Sequence, residues 1–187
     1  MEKFLLLVII LLSSLNAFSQ NLFQNGKFQD GINHWLVLLE NAAVPIKAQV
    51  IEHSEDYGQY GLADNYVNTS FVELDAKSAI QQEIATTQND NYVLTFAYAH
   101  RPNAGKKQLV VLINQQVVFT KTIDNNSSIG LFKYENIHFT APQNNSKISF
   151  YAISLSGTDD QGILLTDVSC EKAAEINIFD QREQKTH

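Results

Sequence analysis

Glu73-Leu74-Asp75 is the run in this chain whose residue types and spacing could do the most chemistry. In an extended strand, residues i and i+2 project from one face, so the spacing predicts both carboxylates pointing the same way. Two carboxylates on one face are what glycoside hydrolysis needs. Joined by amides and a guanidinium, the same carboxylates would instead hydrogen-bond sugar hydroxyls in pairs. Gln81, Glu83 and Arg101 are the candidates to join them. If Ile80, Gln82 and Ile84 face a core, Gln81 and Glu83 face away from it. Arg101 ends the outward side of its own strand. Trp35, Tyr57, Tyr60 and Tyr66 lie where loops could lay rings over a sugar's apolar face, although a Trp beside a first strand is more often core. The plainer reading of Glu73 and Asp75 is ion pairing with Arg101 or Lys77 on a solvated face.

Other catalytic signatures fail. Jelly-roll β-glucanases carry Glu-x-Asp-x-x-Glu, and the position of the last Glu, their acid/base, is Ser78 here. Glu83 lies further along, but no spacing ties it to that role. The histidines, at 34, 53, 100, 138 and 187, form no His-Glu-x-x-His and no zinc spacing. There is no Gly-x-Ser-x-Gly elbow and no phosphate loop. Glu52–Asp56 lacks the spacing of a calcium loop and reads as a charged loop. Asp159-Asp160, between Gly157 and Gly162, reads as a turn. The chain is therefore expected to be no enzyme.

The elements that would position these residues are strands. Short runs with a two-residue period alternate with Asn, Gly, Asp and Pro clusters, and long helical periodicity is missing. Tyr92–Arg101 is the clearest: Tyr92, Leu94, Phe96, Tyr98 and His100 form a large core face. Val93, Thr95, Ala97, Ala99 and Arg101 form a small, open one. Further strands are predicted at Ser70–Asp75, Ala79–Ala85, Gln108–Asn114, Gln116–Thr122, Tyr134–Thr140, Lys147–Leu155 and Ile163–Cys170. Asn114-Gln115 should turn a hairpin. Strands at this spacing predict an all-β antiparallel sandwich of one domain.

Composition narrows the partners. The formal net charge of −7 and the lack of any Lys/Arg cluster argue against nucleic acid and anionic lipid, whereas neutral sugars need no basic surface. Met1–Ser19 reads as a secretion signal: Lys3, the apolar run Phe4–Leu12, then small residues at Ala17 and Ser19. That run is too short to span a bilayer. The reading gives a signal at 1–19, a sandwich at 20–172, a polar tail at 173–187, and a secreted or periplasmic protein. Cys170, the single cysteine, cannot close an internal disulfide and reads as a small buried hydrophobe, with a reactive thiol as the alternative. Asn68, Asn125, Asn126 and Asn144 begin Asn-x-Ser/Thr acceptor sites.

A family resemblance joins these pieces. Asn25-Gly26-Lys27-Phe28-Gln29, followed by Gly31 and Trp35, resembles the opening of galactose-binding-like β-sandwich modules. Phe71–Asp75, Ile80-Gln81-Gln82, Tyr92–Pro102 and Gly162–Ser169 resemble, in order, a secreted branch of that family. The resemblance implies a jelly roll whose ends meet, with Asn25–Gln29 near Asp167. It also implies carbohydrate binding and, in many members, a structural calcium, for which Gln29 and Asp167 occupy the ligand positions. This chain departs from the calcium pattern, with Lys27 for Asp, Gln29 for Glu and Thr166 for Asp. No cofactor is therefore expected, and Lys27 would pair with Asp167. The function expected is a secreted, non-catalytic module. It would bind a glycan or cell-surface polysaccharide through Glu73, Asp75, Gln81, Glu83 and Arg101. An exported protein-interaction domain and a glycoside hydrolase are the alternatives.

Overall fold

The computed structural model describes residues 20–39, 51–52, 58–66, 68–75, 78–124, 130–157 and 161–174. The expected signal, residues 53–56 of the charged patch, Tyr57, Lys77, Asn125, Asn126, Asp159-Asp160 and most of the tail lie outside the described residues. The strands are β1 (Leu36–Leu39), β2 (Ile51–Glu52), β3 (Phe71–Leu74), β4 (Ser78–Ala85), β5 (Asn91–His100), β6 (Lys107–Ile113), β7 (Gln116–Ile123), β8 (Lys133–Thr140), β9 (Asn145–Ser154) and β10 (Ile163–Lys172). They form two five-stranded sheets, β1-β4-β9-β6-β7 and β2-β3-β10-β5-β8, with every pairing antiparallel. The chain crosses between sheets repeatedly, from β3 to β4, β4 to β5, β5 to β6, β7 to β8, β8 to β9 and β9 to β10. This is the antiparallel sandwich that the strand pattern implied, in the jelly-roll form that the family resemblance implied.

Alternation decides which side chains meet in the middle. Leu94, Phe96 and Tyr98 of β5, Leu109 and Val111 of β6, Ile148 and Phe150 of β9, and Ile80 and Ile84 of β4 are all buried in one cluster. Phe96 sits edge-on to both Phe119 and Phe150, an arrangement aromatic rings favour. His100 belongs to this inner face, and its Nε2–H donates to the Gly105 carbonyl at 2.7 Å. Asn114 and Gln115 adopt positive φ (48° and 71°), the conformation a tight two-residue hairpin requires, and join β6 to β7 as expected. β1 and β2 were not anticipated. Leu36-Val37-Leu38-Leu39 is continuously apolar and shows no alternation to read.

The ends of the domain meet. Leu22 N–H bonds the Cys170 carbonyl and Val168 N–H bonds the Gly26 carbonyl, both at 2.9 Å, so the opening segment lies against β10. Asn25 ties the opening loop together: its side chain donates to the Gly31 and Asn33 carbonyls and accepts from Asp30 N–H. Its own carbonyl accepts from the Trp35 indole. Trp35 is core, stacked on Phe23 at 5.3 Å and against Phe28 at 5.4 Å.

Candidate functional site

The five residues expected to contact ligand do not come together. Glu73 and Arg101 belong to the β5 sheet, whereas Gln81 and Glu83 project from the outer face of the β4 sheet, on the opposite side of the sandwich. β3 ends at Leu74, so Asp75 begins the turn into β4 instead of sharing the pleat of Glu73. Ser78 closes that turn, its N–H and hydroxyl both bonding the Asp75 carbonyl. Gln81 accepts from the Ser149 hydroxyl at 3.1 Å, and Glu83 faces Lys147 at 3.8 Å with both side chains in solvent.

Glu73 is buried, only 3% exposed, because the outer face of the β5 sheet is covered at this end. A second apolar cluster, built from Tyr60, Leu62, Phe71, Ala97, Ala99, Phe132 and Leu164, seals it, with Tyr66 packed alongside. Tyr60 and Tyr66 are therefore packing residues and not open rings, and Ala97 and Ala99 lie beneath cover, contrary to the open face expected. Glu73 answers its burial by accepting from Arg101 Nη1 at both oxygens (3.0 and 2.8 Å) and from Gly162 N–H at 2.7 Å. Arg101 in turn lies 4.4 Å over the Tyr60 ring. This is the ion-pair alternative, moved from solvent into the protein. Both Glu73 oxygens are thus engaged within the protein.

The other end of the same face is open. Register places Tyr134 beside Ala97, Asn136 beside Thr95 and His138 beside Val93. Thr166, Ser169 and Glu171 continue these rows on β10. A bulge between Thr166 and Ser169 resets the alternation. Asp167 takes positive φ (50°) there and turns out of the sheet, while Val168 and Cys170 turn in. Tyr134, 59% exposed, reaches across β5 and donates its hydroxyl to Asp167 Oδ2 at 2.6 Å. It can lie that low because the residue between them is Ala97, whose side chain is one methyl. The hydrogen bond to Asp167 first, then burial and the neighbouring charges, pushes the Tyr134 phenol up to about 12. Thr95 Oγ1 donates to Asn136 Oδ1 at 2.7 Å, leaving the Asn136 amide nitrogen to the open face.

Beside Asp167 is a hollow of about 190 Å³ lined by Lys27, Gln29, Asn68, Thr69, Ser70 and Thr166. Gln29 and Asp167, the expected calcium positions, do meet here, but the donor set does not fit calcium. That ion takes 6–8 oxygen ligands, carboxylates prominent among them. Here one carboxylate is present, already engaged by Tyr134, and an ammonium lines the same wall. Tyr134, not Lys27, is the hydrogen-bond partner of Asp167. No group of three or more metal-binding side chains occurs among the described residues. Cys170 is buried, and burial followed by the Glu171 charge pushes its thiol up to about 12, which suits a packed hydrophobe and not a nucleophile.

Comparison with known proteins places this geometry. A family model described as "Protein of unknown function (DUF642)" matches residues 21–169. No curated protein matches the chain. TmCBM61, solved in complex with β-1,4-galactotriose, superposes with a TM-score of 0.54 at 13% identity, over 83% of this chain and 100% of that one. The Stig cyclase Fisc from Fischerella sp. TAU gives 0.58 at 14% identity, over 82% and 98%. The CBM22-1-GH10 modules of Clostridium thermocellum xylanase 10B, complexed with xylohexaose, give 0.51 at 13% identity, over 85% of this chain and 28% of that one. At these identities the shared property is the fold. One sandwich serves carbohydrate-binding modules and a cyclase, so chemistry has to be argued from the site.

Proposed function

The chain belongs to the DUF642 family, and on that premise we propose that it is an exported, non-catalytic module that binds glycan on the open end of the β5 sheet. One observation carries the reading: an exposed tyrosine ring, pinned by its own hydroxyl to Asp167, beside a polar hollow. Sugars present apolar faces to rings and hydroxyls to paired donors and acceptors. Tyr134 supplies the ring. Gln29, Asn68, Asn136 and Ser70 supply neutral donors and acceptors. Because Tyr134 is already held in place, little rotamer freedom is lost on binding. The sugar ligands of TmCBM61 and of the xylanase modules support the reading by analogy of fold. The leader-like Met1–Ser19 supports export. Among the described residues no helix is long and apolar enough to cross a membrane.

The test is a glycan array probed with the wild-type chain and Tyr134→Ala. We expect selective binding by the wild type and its loss in the variant, with unchanged circular dichroism and no release of reducing sugar. An equal array profile for a folded Tyr134→Ala protein would remove this site.

A second reading rests on a different observation. The outer face of the β4 sheet exposes Leu36 (57%), Val117 (56%) and Ile153 (40%), side chains suited to a protein partner. A blank array together with one stoichiometric partner in a pull-down, lost in Ile153→Asp, would favour it.

A further inference from the structure

Resting on the glycan reading, we infer that the ligand is an internal stretch of an uncharged polysaccharide spanning several rings, laid lengthwise along β10, and not a single terminal sugar. A second hollow, about 410 Å³, opens on the same face, walled by Val93, Thr95, Ser169, Glu171 and Ala174. Thr95 pairs with Ser169 and Val93 with Glu171, so this hollow occupies the two rows next to the Tyr134 row. The Asp167 hollow lies at the β10 end of the Tyr134 row, where Thr166 pairs with Ala97 and Ala97 with Tyr134. Thr166 and Glu171 pair with Ala97 and Val93, four positions apart on β5, so the hollows spread over roughly 13 Å at about 3.3 Å per residue. That exceeds what one pyranose covers.

The two hollows differ in chemistry. The first is lined by hydroxyls and amides together with the Lys27 ammonium and the Asp167 carboxylate. The second combines the Val93 and Ala174 methyl groups with the Thr95 and Ser169 hydroxyls and the Glu171 carboxylate. Tyr134 shares its row with the first hollow and Asn136 with the second. Both signs of charge lie along the path: Lys27 and Asp167 at the first hollow, Glu171 at the second, and Lys172, which is bonded to Asp90 at 2.7 Å. Neither a polyanion nor a polycation finds a field of one sign there.

Calorimetry with β-1,4-linked galacto-, xylo- and gluco-oligosaccharides of one to six rings tests this. We expect affinity to rise with length beyond two rings. Glu171→Ala, an exposed change, should weaken hexamer binding about tenfold while leaving the shortest binding oligomer unaffected. Thr95→Ala should act in the same direction, and Tyr134→Ala should weaken every length. Affinity already saturated at one ring, or a hexamer indifferent to both Glu171→Ala and Thr95→Ala, would overturn the lengthwise placement and leave the glycan reading standing. No binding by any oligomer would overturn both.

Discussion

At the scale of the residue, the hydrogen bond from Tyr134 to Asp167 has a consequence in alkali. The folded state favours the neutral phenol, whose pKa rises from the ordinary 10 to about 12. The stability it supplies is therefore complete below about pH 10 and is lost as pH climbs toward 12. Tyr98 behaves alike: burial first, then Glu135, pushes it up to about 12. We expect the urea midpoint of the wild type to fall across this window and to fall less in Tyr134→Phe. Equal declines would mean that the bond does not persist in solution. Tyr134 was placed in a predicted strand, but its role was hidden. Nothing in Ile163–Cys170 marks the bulge that turns Asp167 outward, and strict alternation would have put Asp167 on the core side with Ile163 and Leu165. By contrast, the inward set of β5 was legible because five alternating residues are large.

At the scale of the element, Glu73 and Arg101 hold the covering loop against the sheet. Arg101→Ala leaves a carboxylate buried without its cation, which costs about 3 kcal/mol. Removing both partners in Glu73→Leu/Arg101→Met should cost less than the single change, because no buried charge remains. Urea denaturation of the three proteins checks this. A single change as mild as the double one would place Glu73 in water. The pairing itself was foreseen, but its burial was not. The segment 58–66 that covers it carries Gly, Tyr and Asp and shows no periodicity, so its packing against Phe71, Phe132 and Leu164 is a purely tertiary event. The separation of Gln81 and Glu83 from Glu73 has a similar cause. Two successive strands cross from one sheet to the other, and the outward direction reverses between them.

At the scale of the whole molecule, the opening segment and β10 close the sandwich. A Cβ on Gly26 would collide with the Val168 carbonyl, the residue whose N–H the Gly26 carbonyl receives. Gly26→Val should therefore destabilise the domain by at least about 2 kcal/mol. Trp35 is the only tryptophan, and it is 7% exposed between Phe23, Phe28 and Phe150. Its emission should shift to the red in one step with loss of the β-sheet signal, at lower urea in the variant. Two separate transitions would show that the opening segment is not part of the cooperative unit. The meeting of the two ends was implied by the family resemblance that the opening and closing motifs carry. The calcium positions came together as well, but with a donor set unsuited to the ion.

Asn68 stands exposed on the rim of the polar hollow and begins an Asn-Thr-Ser acceptor site. Produced in a host that attaches sugar at such sites, the folded protein would carry a tethered competitor at the mouth of its own site. At millimolar effective concentration, such a tether outcompetes a weak free ligand. On the glycan reading, protein from a glycosylating host should bind oligosaccharide more weakly than the same protein after its attached sugar is trimmed, and equal binding would place Asn68 away from the bound chain.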